Sequence, residues 1–423
     1  MSVTGQPTPA SPAPPLRARI VLFLLLSAAT GLSQFYRVSN SVIGPEIAAE
    51  LSLSALQLGL AGGAFFLALL VAQIPVGMAF DRWGARATLA SISGLAVLGA
   101  LWIAAARNPA ELIAARFVVG LGCAANFMAA VYLCSRWYGA DRFTLALSWV
   151  FAASNLGTLA AATPLAWAAQ HWGWRRAFVA LALATVAMAL LFWWRVRDDP
   201  PGAPPPAHRR ESLAEIWRGL LEVWRTPGLG PVFSMHVFAY ACMVTVLGVW
   251  AGPYLNDVHG LDGVARGNVL LGMGVAQIVG LLVFGPLDRI LGTRKRIVVA
   301  GASLSIVVFA TLALLERPPL ALAVALLAAI PFLSSYSIVI VAQGRALFPA
   351  HLAGRGVTTV NMAQVLGATG LPALSGWIVG AMSAPAGGAA PEAAYRAVFA
   401  ALAAGSLLGL SIYLRSKDSR PAA

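Results

Sequence analysis

Long apolar stretches constrain this chain more than any other feature, and twelve of them can be counted. Each is long enough for a helix rising 1.5 Å per residue to cross a hydrocarbon layer of about 30 Å. A membrane-spanning segment must satisfy its own backbone hydrogen bonds, and these stretches lack the two-residue alternation of a membrane barrel. The pattern predicts an all-α polytopic membrane protein with twelve transmembrane helices.

The charge content agrees with this prediction. Only 11% of the 423 residues are charged, whereas a soluble domain carries about 25%. We number the predicted spans 1 to 12 in chain order, and their limits are 18–44, 56–80, 87–106, 111–134, 143–168, 175–196, 231–255, 265–287, 296–315, 319–343, 356–382 and 393–414.

The spans fall into two groups of six, separated by a polar connection. We expect a disordered Pro-rich tail over 1–17, a first bundle over 18–196, a cytoplasmic linker over 197–230, a second bundle over 231–414 and a cytoplasmic tail over 415–423. The linker contains a predicted amphipathic surface helix, whose apolar face is formed by Leu213, Ile216, Trp217, Leu220 and Trp224.

The basic residues indicate the orientation. Of the 29 Lys and Arg residues, 21 fall on the side that carries both termini and six on the other side. Positive charge collects on the cytoplasmic side of membrane proteins, so both termini are predicted to be cytoplasmic, in a bacterial inner membrane. The net charge of +13 is thereby explained without a nucleic-acid partner, for which no soluble basic domain is present.

The two halves contain a related turn. The sequence "GMAFDRWGAR" closes span 2 and "GPLDRILGTRKR" closes span 8, which places Asp81 207 residues before Asp288. Internal repeats of this kind are typical of secondary transporters, in which the substrate site lies between the repeats near the middle of the membrane. We therefore expect two pseudo-symmetric six-helix bundles around a central site.

These features resemble the major facilitator superfamily over nearly the whole chain. The turn after span 2 matches the family pattern at Gly77, Asp81, Arg82, Gly84 and Arg86. A second motif in span 4 matches at Arg116, Gly120, Gly122 and Ala124. The resemblance implies alternating access, in which the two halves rock about the central site, and a protein that acts as a monomer without a cofactor.

The repeated turn is a candidate gate. Asp81 is suited to accept backbone hydrogen bonds at a helix start or to pair with an arginine, and Gly84 permits a tight turn. The resemblance implies a latch on the cytoplasmic side; the alternative is a turn that only fixes topology. The candidate gating residues are Asp81, Arg82, Gly84, Arg86, Asp288, Arg289 and Arg294.

Arg37 is the charge least expected from its position. A charged side chain inside a span costs roughly 2.5–3.5 kcal/mol on insertion scales and marks a candidate functional site. Gln34 and Asn40 share its helical face. This polar stripe favours a cavity-facing arginine over one that extends to the outer headgroups.

A narrower resemblance concerns the substrate. The stretch "YRVSNSVIGPEI" is similar to span 1 of the organophosphate–phosphate antiporters, in which an arginine at this place binds the phosphate. A second arginine in span 7 completes that clamp, whereas Val244 and Thr245 occupy the nearest positions here. One cation suits a carboxylate, which arginine binds through two hydrogen bonds. We expect a small organic anion as substrate, and import as the direction.

Besides Arg37, the candidates for substrate contact are Gln34, Tyr36 and Asn40 on span 1 and, on other spans, Asn126, His236, Tyr240, Gln277, Asn361 and Gln364. Candidates for proton coupling are His236, Glu46 and Arg116. Each has a structural alternative, because buried histidines, arginines and amides also serve as packing or interhelical hydrogen-bonding groups. No Asp or Glu lies at the middle of a predicted span.

Other function classes are less well supported. The chain lacks a nucleotide-binding loop and a nucleophile–base set, which argues against an ATP-driven pump and an enzyme. A metal carrier using Met235, His236, Met243 and Met273 is disfavoured, because Met235 and Met243 are too far apart on one helix. An exporter of drugs or metabolites remains the main alternative.

Overall fold

A computed structural model describes residues 15–138, 140–200, 221–349, 353–383 and 390–418. These residues form helices joined by short turns. Twelve helices are long and apolar enough to cross a membrane, which confirms the predicted count: Leu16–Val42, Ala55–Phe80, Arg82–Ala105, Pro109–Trp137, Leu145–Trp172, Trp174–Arg195, Leu229–Asp257, Gly263–Leu291, Lys295–Leu314, Leu320–Ala346, Thr358–Met382 and Glu392–Tyr413. Span numbers below refer to these limits.

Several spans are interrupted. Span 5 breaks between Ala160 and Thr163, and span 10 between Ser334 and Ser337. Both breaks lie within four residues of a proline, Pro164 or Pro331, whose missing N–H removes a helical hydrogen bond. Span 7 contains a π-helical turn over Val246–Trp250, a wide turn often found at functional sites.

The tight turn predicted at Gly84 is present. The backbone there has φ 78° and ψ 171°, inside an otherwise helical stretch from Ala55–Ala105. A positive φ favours glycine. A side chain at this position would also collide with the carboxylate of Asp198, which lies beside the turn. Gly84 is therefore required both by the backbone and by its neighbour.

Span 3 is held at both ends by residues of span 6 and its following segment. Arg175 donates to the carbonyl oxygens of Ala104 and Ala106, each at 2.8 Å. Asp198 accepts a hydrogen bond from the backbone N–H of Arg86 at 2.7 Å. A cation at the carboxyl end and an anion at the amino end both complement the helix dipole and satisfy free backbone groups.

The second half repeats this arrangement in spans 9 and 12. Arg396 donates to the carbonyl oxygens of Ala313 and Leu314, at 2.8 and 3.3 Å. Asp418 accepts from the backbone N–H groups of Arg294 and Lys295, at 3.1 and 3.0 Å. The pseudo-symmetry of the two halves thus extends to the side chains that hold the helix ends.

We call the end of the bundle that carries Leu16 and Tyr413 the terminal face, and the opposite end the distal face. The halves meet closely towards the distal face, where spans 2 and 11 cross. A side chain on Gly63 would lie 2.5 Å from the carbonyl oxygen of Thr369, and one on Gly376 2.7 Å from that of Ala55. Glycine therefore permits the close approach of the two backbones.

Large apolar side chains cover the outside of the bundle. Leu98, Trp149, Leu282 and Leu314 are each more than 60% exposed, an arrangement suited to lipid rather than to water. Most of the amphipathic linker helix predicted between Leu213 and Trp224 lies outside the described residues, as do the two tails beyond 15 and 418.

Candidate functional site

A small central cavity opens between the two halves. Spans 1 and 5 contribute one wall, and spans 7 and 8 the other. Its lining is Gln34, Arg37, Val38, Thr158, Tyr240, Met243, Val244, Leu247, Gly248 and Gln277. Of these ten described residues, Arg37 alone is charged. A mostly apolar wall with a few convergent polar groups is typical of a small-molecule site.

Arg37 connects the halves at this cavity. Its Nη1 donates to the hydroxyl oxygen of Tyr240 at 3.0 Å. The guanidinium carbon also lies 5.9 Å and 5.6 Å from the ring centres of Phe65 and Phe66, within the range of cation–π attraction. Nε is buried and has no hydrogen-bond partner. Among the described residues Arg37 has no carboxylate partner, so its charge is balanced by rings and a hydroxyl.

Span 7 approaches span 1 without supplying a second cation. Val244 lines the cavity, and Thr245 is buried with an unpartnered hydroxyl. Gly248 lies in the π turn, where an added Cβ would be 3.4 Å from the carbonyl oxygen of Arg37. The wide turn therefore lies directly against the backbone that carries the arginine.

Tyr36, Asn40 and Asn126 do not line the cavity. The Tyr36 hydroxyl lies 3.0 Å from that of Thr185 in span 6, inside its own half. Asn126 donates to the carbonyl oxygen of Ala29 at 2.8 Å, which is an interhelical bond. Asn40 is buried and its amide nitrogen has no partner. Adjacent helical residues point about 100° apart, so Tyr36 turns away where Arg37 turns inward.

Arg116 is buried behind the cavity rather than on its wall. Its guanidinium donates to the carbonyl oxygens of Tyr36 at 2.6 Å and Ala61 at 3.3 Å. It also lies 5.6 Å from the ring centre of Phe65. These contacts are those of a packing residue that joins spans 1, 2 and 4. The proton-coupling role assigned to it from the sequence stays a prediction.

Of the remaining candidates for substrate contact in the second half, some line the cavity and others do not. Gln277 lines the cavity together with Tyr240. His236, one turn away from Tyr240, is fully buried, and neither ring nitrogen has a hydrogen-bond partner in the part of the chain that the structure describes. Asn361 and Gln364 are joined by a 3.4 Å hydrogen bond on span 11 and do not line the cavity. The substrate role of these residues is a prediction.

Thr158 lines the cavity but was not a sequence candidate. It lies on span 5 four residues after Ser154 and three after Asn155, and all three are buried. Ser154, Asn155 and Thr158 are spaced i, i+1 and i+4, which places small polar residues on one face of a membrane helix and is the signal that could have identified Thr158. The apolar lining residues carry no comparable signal.

Glu46 forms an ion pair between the halves. It lies in the first turn of the short helix Gly44–Leu51 after span 1, and its Oε1 accepts from Nη2 of Arg266 in span 8. Arg266 is buried and also donates to Asn256. Glu50 on the same short helix instead pairs with Arg175, in its own half, at 2.9 Å. The sequence did not identify Arg266 as part of a site.

At the terminal face the gating candidates have separate partners. Asp288 accepts from Arg294 at 3.1 Å, and Arg86 donates from Nε to the carbonyl oxygen of Trp193 at 2.6 Å. Arg82 lies over the ring of Trp83, and Arg289 is exposed. The side chain of Asp81 lies outside the described structure. The latch therefore stays a prediction.

Twelve apolar spans in two pseudo-symmetric halves define a multi-pass membrane protein with a central cavity. The model of the Major Facilitator Superfamily matches residues 23–372, and the chain belongs to that family. A solved bacterial homologue of the human lysosomal transporter Spinster, inward-facing and unoccupied, has the same fold. Its TM-score is 0.80 at 17% identity, with 94% of this chain and 97% of that one covered.

Curated relatives are bacterial transporters. A probable galactarate/D-glucarate transporter of Bacillus subtilis is 26% identical over 222 residues, 51% of this chain and 48% of that one. A gallate transporter of Pseudomonas putida is 26% identical over 194 residues, which are 46% of this chain and 42% of that one. A quinolone resistance transporter of Acinetobacter baumannii is 27% identical over 187 residues, which are 42% of this chain and 43% of that one. The chain thus matches less than half the length of each.

Proposed function

We propose that this protein is a secondary active transporter for a small organic anion, with a carboxylate as the group it recognises. The observation that carries this proposal is the position of Arg37, a half-buried cation bound across the halves to Tyr240 in a cavity whose other described lining residues are uncharged. A cation in an apolar surround that lacks a carboxylate partner is electrostatically unbalanced, and a bound anion corrects this.

The rest of the lining suits an organic acid. Guanidinium binds carboxylate through two parallel hydrogen bonds. Gln34, Gln277 and Thr158 offer amide and hydroxyl groups for substituents on the carbon skeleton, and Met243 and Leu247 give an apolar surface for the skeleton itself. The named substrates of two relatives, galactarate/D-glucarate and gallate, are organic acids, which supports this reading.

Transport is proposed to follow alternating access between the halves. A carboxylate on Arg37 meets side chains of both halves, so binding changes the balance between conformations that the ligand contacts differently. The excess of basic residues on the terminal face supports a cytoplasmic location for that face in the bacterial inner membrane. The distal face is then the outer one, and uptake from it is the proposed direction, coupled to protons or to exchange.

The proposal is tested by uptake of labelled D-glucarate and gallate into proteoliposomes. Arg37→Ala is expected to lower the affinity for a transported acid roughly 10- to 100-fold, because a hydrogen-bonded charge contributes about 1.5–3 kcal/mol. Arg107→Ala is the matched control, since this arginine is exposed beyond the end of span 3. Equal uptake by wild type and Arg37→Ala would contradict the proposal.

Drug export is a second candidate, favoured by the quinolone resistance relative. The same variant separates the two functions. Export of a cationic drug does not require Arg37, whereas anion transport does. A dye-efflux assay in which Arg37→Ala retains full efflux, together with no uptake of organic acids by the wild type, would favour export.

A further inference from the structure

The Glu46–Arg266 ion pair closes the distal face between the halves. Glu46 follows Arg37 by nine residues, about 13 Å along a helix axis at 1.5 Å per residue. Arg266 lies in the first turn of span 8, on the opposite half. The pair therefore lies on the same side of the molecule as the cavity arginine, towards the distal end of the path between the halves.

The pair is incompletely satisfied. Only Oε1 of Glu46 bonds to Arg266, while Oε2 is buried and has no hydrogen-bond partner among the described residues. Nε of Arg266 is likewise buried and unpartnered. Removing charges from water costs several kcal/mol per ion, and that cost is offset only when the geometry and the remaining hydrogen bonds are complete. The side chain of Arg266 is 3% exposed and that of Glu46 is 39% exposed, so the cost falls mainly on Arg266.

Two neutral contacts join the halves at the same face. Ser41 accepts a hydrogen bond from the backbone N–H of Gly252 at 3.0 Å. Thr163 in span 5 donates to Asn268 in span 8 at 2.8 Å. Any movement that opens the distal face must break these bonds and separate Glu46 from Arg266, because each joins one half to the other.

We propose that Glu46 and Arg266 form the distal gate, and that Arg266 is a second carboxylate-binding position, which Glu46 occupies while the gate is closed. When the halves separate, Arg266 remains with Asn256 and the carbonyl oxygen of Leu261 on its own half. Its Nη2 and Nε edge then faces the path. The carboxylate of an entering substrate then replaces the Glu46 carboxylate as the acceptor for Arg266. Arg37 lies further along the same path, closer to the centre of the molecule.

The gate is tested by a disulfide between the halves. Cysteines replacing Thr163 and Asn268 report the closed state, and the three native cysteines are buried. In this background Glu46→Gln is expected to reduce disulfide formation on oxidation by a factor of about 3–10, because a charged hydrogen bond is lost. Glu50→Gln is the matched control, since Glu50 lies on the same short helix but pairs within its own half.

Rescue separates a gate from general destabilisation. The exchanged pair Glu46→Arg with Arg266→Glu is expected to restore disulfide formation towards the wild-type level, whereas either reversal alone is not. Thermal unfolding of each variant shows that it is folded. The gate is overturned if Glu46→Gln forms the disulfide as readily as wild type, or if Glu50→Gln reduces it equally.

The carboxylate position rests on the proposed function and has its own readout. Acetate or D-glucarate added outside is expected to lower disulfide formation relative to sodium chloride of equal ionic strength, and Arg266→Gln to abolish this response. Arg37→Ala is expected to keep the response while losing uptake. A response that survives Arg266→Gln, or none in the wild type, overturns the second position. If the wild type takes up no organic acid but Glu46→Gln still reduces disulfide formation, the proposed function is overturned and the gate is not.

Discussion

Asp198 accepts a hydrogen bond from the backbone N–H of Arg86 at 2.7 Å, so the segment after span 6 caps the start of span 3. Asp198→Ala is expected to lower the free energy of unfolding by about 1–2 kcal/mol, the usual loss when a helix cap is removed. Asp198→Asn keeps an acceptor oxygen and should lose less. Asp418→Ala, at the equivalent place in the second half, should behave like Asp198→Ala. Thermal unfolding in detergent measures all three, and an unchanged melting temperature in both alanine variants would contradict the capping role.

The same carboxyl group gives a pH dependence of known sign. Burial raises the pKa of Asp198 above its usual 3.8, and the backbone hydrogen bonds from Arg86 and Ala85 oppose this without cancelling it. The folded state therefore holds the proton more tightly than the unfolded state, and the contribution of this group to stability falls as pH rises from about 4 through its folded pKa. Asp198→Asn should remove that part of the pH dependence. A melting-temperature profile from about pH 4 to pH 7 with the same slope in both proteins would be the contrary result.

Arg116 supports the segment that carries Arg37, because its guanidinium binds the carbonyl oxygen of Tyr36. Arg116→Met leaves that carbonyl and the carbonyl of Ala61 without this donor and should cost about 1–3 kcal/mol of stability. It should also raise the KM for a transported acid while Arg37 is unchanged. Arg116→Lys keeps the charge but not the fork of donors, so partial recovery is expected. A variant with wild-type stability and KM would show that these bonds do not position span 1.

Tyr240→Phe tests the bridge across the cavity. The change removes the hydroxyl that accepts from Arg37 and leaves the ring in place. We expect the KM for a transported acid to rise about 3- to 30-fold, since a hydrogen bond to a charged group is lost from the binding site. Tyr138→Phe is the control, because that hydroxyl donates to the carbonyl oxygen of Arg19 at 3.0 Å, outside the cavity. Equal KM values for the two variants would argue against the bridge.

His236 has opposite expected effects on stability and on coupling. Both ring nitrogens are buried without partners, so His236→Leu should be neutral or stabilising, as an unsatisfied polar group costs about 1–3 kcal/mol. If His236 carries the coupled proton, the same variant should lose accumulation driven by a pH gradient and keep exchange of substrate. Uptake into vesicles with and without an imposed gradient distinguishes these activities. Gradient-driven accumulation at the wild-type rate would remove His236 from the coupling path.

The spans were predictable because apolar length is a local property of the sequence. Arg37 was predictable for a related reason, since a charge among polar neighbours on one helical face indicates which way that face turns. The sequence does not determine how each helix is rotated about its own axis. Tyr36 was therefore predicted to contact substrate together with Arg37, although its hydroxyl lies beside that of Thr185. The hydrogen-bond partners of Glu46 and Asp198 could not be predicted from the sequence either. They lie 220 and 112 residues away, and such pairings depend on how the packed helices meet.

Three consecutive residues after span 6 attach the connection between the halves to the first half. The carbonyl oxygen of Arg197 accepts from Trp137 at 3.0 Å, Asp198 binds the start of span 3, and Asp199 pairs with Arg136 of span 4. The connection is therefore attached to spans 3 and 4 as well as to the end of span 6. A force transmitted along the connection acts on all three spans, so it moves the first half as a rigid unit instead of bending one helix.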